Sequence, residues 1–163
     1  MKRFFSQTQA ICSTPLILVL AIFSSAPARA ASAEAICSQT VVASLGIRTL
    51  TNMNFGTAVA GSAAMEVSPS NKSQAASFQV TGEPNRYYSI TLPKVGTVVM
   101  KTGTGSEATQ QIVIEQLDSF PSHTGRIGPD GNGVLYVGGK RSDIPANQEP
   151  GTYNGAFVVT VVY

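Results

Sequence analysis

His123 is the only histidine in the 163 residues, and it lies in Ser119-Phe120-Pro121-Ser122-His123-Thr124-Gly125. With Ser122 and the nearby Asp118 it could be assembled on paper into a Ser-His-Asp relay. Such relays draw their members from distant segments and, in one common form, raise the nucleophile on a Gly-x-Ser-x-Gly turn. The chain has no such turn, so His123 reads as a solvated loop residue and no catalysis is expected. Asp130-Gly131-Asn132-Gly133 offers oxygen ligands in a glycine-rich turn, but a calcium loop needs a bidentate carboxylate at its twelfth position, which is Arg141. Turn chemistry accounts for the segment, and neither a metal nor a cofactor is expected. Arg86-Tyr87-Tyr88 could stack on a ligand; strand alternation instead turns Tyr88 inward and leaves Tyr87 half exposed for cross-strand packing.

The elements that would position these groups are strands. Ala76, Phe78 and Val80 alternate with polar neighbours, Gly82-Glu83-Pro84-Asn85 supplies turn chemistry, and Tyr88, Ile90 and Leu92 alternate again, which predicts a hairpin. Further strands are expected at Met53–Val59, Met65–Val67, Val95–Met100, Ile112–Leu117 and Val134–Val137, the last closed by Gly138-Gly139. His123–Gly133 reads as turn-rich, and Lys140–Pro150 as a polar crossover between sheets. From Tyr153 onward Gly155, Phe157, Val159, Val161 and Tyr163 share one face, so the terminal strand is expected to complete a sheet. No helical period is sustained over ten residues. Seven to eight short strands in one domain point to an all-β, immunoglobulin-like sandwich, without the Trp and paired cysteines of antibody domains.

Residues 1–30 stand apart. Lys2 and Arg3, the apolar Leu16–Phe23 and the small-x-small Ala28-Arg29-Ala30 have the form of a secretory signal cleaved after Ala30. The apolar stretch is too short for a membrane span, so no anchor is expected after cleavage. Removing Lys2, Arg3 and Arg29 leaves eight basic against nine acidic residues, so the formal charge of +2 belongs to the signal. No basic run remains for nucleic acid. Cys12 leaves as well, and the remaining Cys37 has no partner in its own chain for a disulfide.

Residues 31–47 are small and apolar, with Val41, Ala43, Leu45 and Ile47 at alternate positions. Two readings are open for them: the first strand of the domain that spans 48–163, or an extension that docks elsewhere. Only 12% of the chain is charged, a composition that suits association between copies.

Three stretches carry a family resemblance: Met53-Asn-Phe55-Gly56-Thr-Ala-Val-Ala-Gly61; Phe78-Gln-Val80-Thr-Gly82 with Tyr88-Ser-Ile90-Thr-Leu92; and Val137-Gly138-Gly139 followed by Ile144-Pro-Ala-Asn147-Gln-Glu-Pro-Gly151-Thr-Tyr153-Asn-Gly155. In order and spacing they resemble the secreted bacterial domains of unknown function 4402. More distantly the chain is similar to spore coat protein U and to chaperone–usher pilin subunits, although the disulfide common in those proteins is absent. Lys140-Arg141-Ser142-Asp143 also departs from the apolar pattern expected after the double glycine. The pilin resemblance implies a sandwich lacking one strand, filled first by a periplasmic chaperone and then by a neighbour's extension. On that reading Val41, Ala43, Leu45 and Ile47 would be donor residues, and Phe157, Val159 and Val161 would line an edge of the groove. The expected function is therefore an exported structural or adhesive subunit that self-associates, in the periplasm, on the outer surface or outside the cell. The alternative is a self-contained exported module binding carbohydrate or a periplasmic partner through loops such as 118–133.

Overall fold

The computed structural model describes residues 33–163, so the signal assigned to 1–30 lies outside the described residues. Residues 33–45 carry no regular secondary structure, and the compact unit spans Thr40–Tyr163. Its β-branched and aromatic runs form strands β1 (Gly46–Thr51), β2 (Met65–Val67), β3 (Ala76–Thr81), β4 (Tyr87–Thr91), β5 (Val98–Lys101), β6 (Gln111–Phe120), β7 (Thr124–Arg126), β8 (Asn132–Arg141) and β9 (Thr160–Val162). The larger antiparallel sheet runs β1-β3-β8-β6-β5, with β2 continuing beside β8; the smaller runs β7-β4-β9. The described chain is an all-β sandwich whose only helical turn is the short 3-10 segment Ala108–Gln110.

The core sits between the sheets. Leu135 and Val137 of β8, Val80 of β3 and Ile127 after β7 have no exposed surface, and Tyr88 and Ile90 of β4 close over them. Phe78 meets Phe157 edge to face, with ring centroids 6.2 Å apart. Each large apolar side chain buried in this way stabilises the fold by about 1.5–3 kcal/mol before ordering costs. Tyr88 is buried and Tyr87 exposed, as alternation requires, and Tyr153, Phe157, Val159 and Val161 are half-buried while their neighbours face solvent.

Several expected elements are corrected. β3 and β4 do not form a hairpin: β3 pairs with β1 and β8, and β4 with β7 and β9. Both have apolar faces directed at the same core, so they lie across it from one another. The connection arches over, with Asn85 in the left-handed region at φ 64° and its N–H donating to the Ile127 carbonyl. The stretch 53–59 is not a strand; the ladder lies just before it, in β1, where Gly46 through Thr51 pair with β3. β1 starts inside the expected 31–47 segment.

β8 does not stop at the double glycine. It continues to Arg141 because Gly138 and Gly139 are places of close approach: a Cβ on Gly138 would run into the Val67 carbonyl oxygen and the Pro69 nitrogen, and one on Gly139 into the Gln116 carbonyl and the Leu117 side chain. That packing lets β2 and β6 pair with both sides of β8. The polar crossover therefore begins after Arg141. β6 extends to Phe120, the turn-rich segment contains β7, and only Thr160–Val162 of the terminal stretch is in a ladder.

Gly138→Val should force backbone apart at the centre of the larger sheet and destabilise the protein by about 3 kcal/mol, at the upper end of overpacking costs. Urea unfolding of the purified protein measures it. A change under 0.5 kcal/mol would mean the β2–β8 contact is not tight.

Candidate functional site

The larger sheet has six strands and the smaller three, so part of the larger sheet's inner face is covered by the irregular stretches 52–60 and 148–157 in place of strands. A cavity of about 310 Å³ opens there, over Phe78, Val98, Met100 and Ile114 and beside Phe157. It adjoins a second of about 910 Å³, walled by residues 52–60 on one side and 148–154 on the other. Both are lined by Met53, Phe55, Met100 and Tyr153, so together they form one groove.

Along each bank of this groove runs backbone that lacks partners among the described residues. On the terminal side, Asn154 exchanges two hydrogen bonds with Lys101, at 2.8 and 2.9 Å, and β9 pairs with β4 from Thr160; among the described residues Gly155–Val159 make no backbone hydrogen bond between those points. On the opposite bank the Asn54 N–H donates to the Gln74 carbonyl at 2.8 Å and the Gly61 N–H to the Ile144 carbonyl at 2.9 Å. Between them the backbone groups of Phe55, Thr57 and Ala58 find no backbone partner in the described chain. Most of this backbone is solvent-exposed and free to pair, so two such runs flanking apolar side chains offer main-chain groups to an added strand.

One end of the slot is polar. Arg141 is only 4% exposed, and its Nη1 donates to the Ala63 and Ser142 carbonyls at 3.0 and 2.9 Å. No carboxylate is within ion-pair distance of it: the Asp143 carboxylate nearby accepts from the Ala64 N–H, and the ion pair among the described residues is Lys140–Glu115, at 3.1 Å on the surface. Gln148, also buried, spends its amide N–H groups on the Gln111 carbonyl and the Tyr153 hydroxyl, and its Oε1 has no partner among the described residues. The Tyr153 hydroxyl in turn donates to the Glu149 carbonyl at 2.6 Å, which holds this bank in place.

The residues singled out in the sequence fall in different places. Val41 is 83% exposed, ahead of the first strand. Ala43 is clasped: its N–H donates to Glu83 Oε2 at 2.8 Å and its carbonyl accepts from the Tyr163 hydroxyl at 3.0 Å, while that hydroxyl accepts from the Glu83 N–H at 2.7 Å. Leu45 packs on the domain's own core and Ile47 lies in β1 opposite Val80. Phe157 lines the groove; Val159 and Val161 pack against the main core instead.

Met53, Phe55, Met100, Arg141 and Gln148 were not singled out. Met53 and Phe55 show the right alternation but were read as a strand, and nothing local distinguishes a buried arginine from the loop cations beside it. His123 Nδ1 is 2.7 Å from Ser122 Oγ, but the Asp118 carboxylate accepts from Gln116, so the two ends of the paper relay are engaged separately. The Asn132 backbone N–H and side-chain amide hold the Asp130 carboxyl below its usual range. Arg126 lies over the Tyr87 ring, 5.8 Å from its centroid, and Arg86 over that of Tyr163 at 4.8 Å; burial pushes the Tyr88 phenol up. Among the described residues no helix is long and apolar enough to cross a membrane.

Fold and groove together define an antiparallel β-sandwich with a groove beside its terminal stretch. Residues 35–163 match the family described as a domain of unknown function (DUF4402), and the chain belongs to that family. No curated protein and no solved structure matches it significantly.

Two outcomes follow from these contacts. Tyr163→Phe removes the hydroxyl that joins Ala43 to Glu83 and should cost about 1 kcal/mol in denaturant unfolding, with faster amide exchange at Glu83. Unchanged exchange there would show that the clasp is not formed in solution. Because the folded pKa of Asp130 is lowered, its ionised form is favoured by folding, so its contribution is present above the ordinary Asp range and lost as pH falls through the folded value. An NMR titration should place the Asp130 midpoint below that range, and Asn132→Ala, which removes the side-chain donor but keeps the backbone N–H, should raise it only part of the way; a midpoint at or above the ordinary Asp range in the unaltered protein would contradict this cause.

Proposed function

We propose that the chain is an exported structural or adhesive subunit that assembles by strand addition, each copy lending its leader to the open slot of the next. The observation that carries this reading is the slot with unpaired backbone on both banks. The described leader, 33–44, supplies a matching element. It is exposed, without secondary structure, and rich in small residues, with Ile36 96% and Val41 83% exposed. An inserted strand would gain main-chain hydrogen bonds along both banks, and apolar side chains on the slot floor would add about 1.5–3 kcal/mol each, less the cost of association. The low charge and the signal-like segment support this reading of export and self-association.

The direction of assembly follows from the clasp. It holds Ala43 against Tyr163 and Glu83, at the end where Gly46 meets Thr81, whereas the slot begins past Thr51 at the other end of β1. Donor and acceptor are thus different surfaces, and a contact between different surfaces propagates head to tail into open fibres unless a rotation closes it. A slot flanked by free backbone before assembly calls for a temporary occupant, the role of a periplasmic chaperone.

Light scattering on chain 31–163 beside a version beginning at Ala43, which keeps the clasp, tests the reading. The longer form should grow into multimers and the shorter should stay monomeric, or bound to a chaperone. Monomers in both cases would remove strand addition and favour a self-contained binding module.

A further inference from the structure

Arg141 and Gln148 present an anomaly that the fold does not explain. A cation withdrawn from water is costly unless a carboxylate meets it, and a buried amide oxygen without a donor is costly in the same way. Here both occur together, 4% and 6% exposed, lining the larger cavity of the slot. The carboxylate lining the same cavity, Glu149, lies on the surface and accepts from the Gln110 amide at 2.9 Å. What would complete the site is a ligand bearing a carboxylate for the guanidinium and an adjacent N–H for Gln148 Oε1. A peptide strand with an acidic side chain carries both, while the apolar lining of Met53, Phe55, Met100, Ile112 and Ile144 suits an aliphatic neighbour on the same face.

We propose that Arg141 and Gln148 form a carboxylate-recognition site that sets the register of the incoming strand, and that its occupant is Glu34 of a second copy. This rests on the strand-addition reading above. Glu34 is the only charged residue between Ala33 and Ile47, it is exposed, and its sign is opposite to that of the buried guanidinium. Two residues on, and therefore on the same face of an extended strand, stands Ile36, the most exposed large apolar side chain among the described residues. Glu34 against Arg141 brings Ile36 over the slot's apolar floor, and the main-chain N–H groups beside Glu34 supply the donor that Gln148 lacks. A strand without this carboxylate leaves the guanidinium buried and unpaired, so the site rejects wrong segments and slipped registers alike.

The test uses chain 31–163 and sedimentation velocity to obtain the association constant, with the synthetic peptide 33–45 as a competing strand. Glu34→Gln changes an exposed leader residue and leaves the domain intact. It should weaken association about ten-fold or more, and the Glu34→Gln peptide should compete correspondingly less well. Arg141→Met should weaken association similarly while leaving thermal stability equal or higher, since an unpaired buried charge has been removed. The combined variant should be no weaker than either alone. Association unaffected by Glu34→Gln, or losses that simply multiply in the combined variant, would overturn the pairing while strand addition stands. If the unaltered chain neither associates nor binds the peptide, strand addition fails and the register site fails with it.

Discussion

The constraint on which the structure turns is the mismatch between its two sheets. Six strands present an inner face that three cannot pair across, and irregular segments fill in beside the terminal stretch, where among the described residues the chain passes from Asn154 to Thr160 without a backbone hydrogen bond. Backbone polar groups next to an apolar floor are tolerable while water reaches them, but they gain far more from a strand. Phe157 shows the compromise. Half-buried, it holds the edge of the main core through Phe78 and simultaneously borders the slot.

Around that mismatch the rest is firmly built. β8 is the spine of the larger sheet, paired on one side with β3 and then β2, and on the other with β6. Gly138 and Gly139 let three backbones meet where side chains would hold them apart, and it is this continuation that carries Arg141 onto the inner face, in line with Leu135 and Val137. The buried cation at the end of the slot is thus a direct consequence of two glycines. The two banks are fixed independently, the terminal one by Tyr153 and the Lys101–Asn154 bridge, the opposite one by Gln74 and Ile144. A slot with independently anchored walls keeps its width when empty, which lowers the cost of accepting a strand.

The leader divides at Ala43. Beyond the clasp with Glu83 and Tyr163 the chain is committed to its own domain, with Leu45 on the core and Ile47 in β1; ahead of it, the described residues are exposed. Of four alternating residues that look equivalent in sequence, Leu45 and Ile47 belong to the fold, Ala43 is clasped at its edge and Val41 is exposed. Alternation says which residues share a face, but it is silent on which sheet the face belongs to.

That distinction marks the limit of the sequence. Period-two patterning, the spacing of turn residues and the lack of helical period were enough to establish an all-β sandwich, the inward Tyr88 and the buried face of the terminal stretch, because these depend on residue type and local geometry alone. The arch between β3 and β4 was not legible, since Gly82-Glu83-Pro84-Asn85 can close a hairpin or cross a core with the same local chemistry. Nor was the passage of β8 through its glycines, because in sequence they mark a turn and only neighbouring strands make them points of contact. The slot, with Arg141 and Gln148 at its end, was decided by tertiary structure alone: it is made of what strands from both sheets leave uncovered, and no single stretch carries a signal for a space.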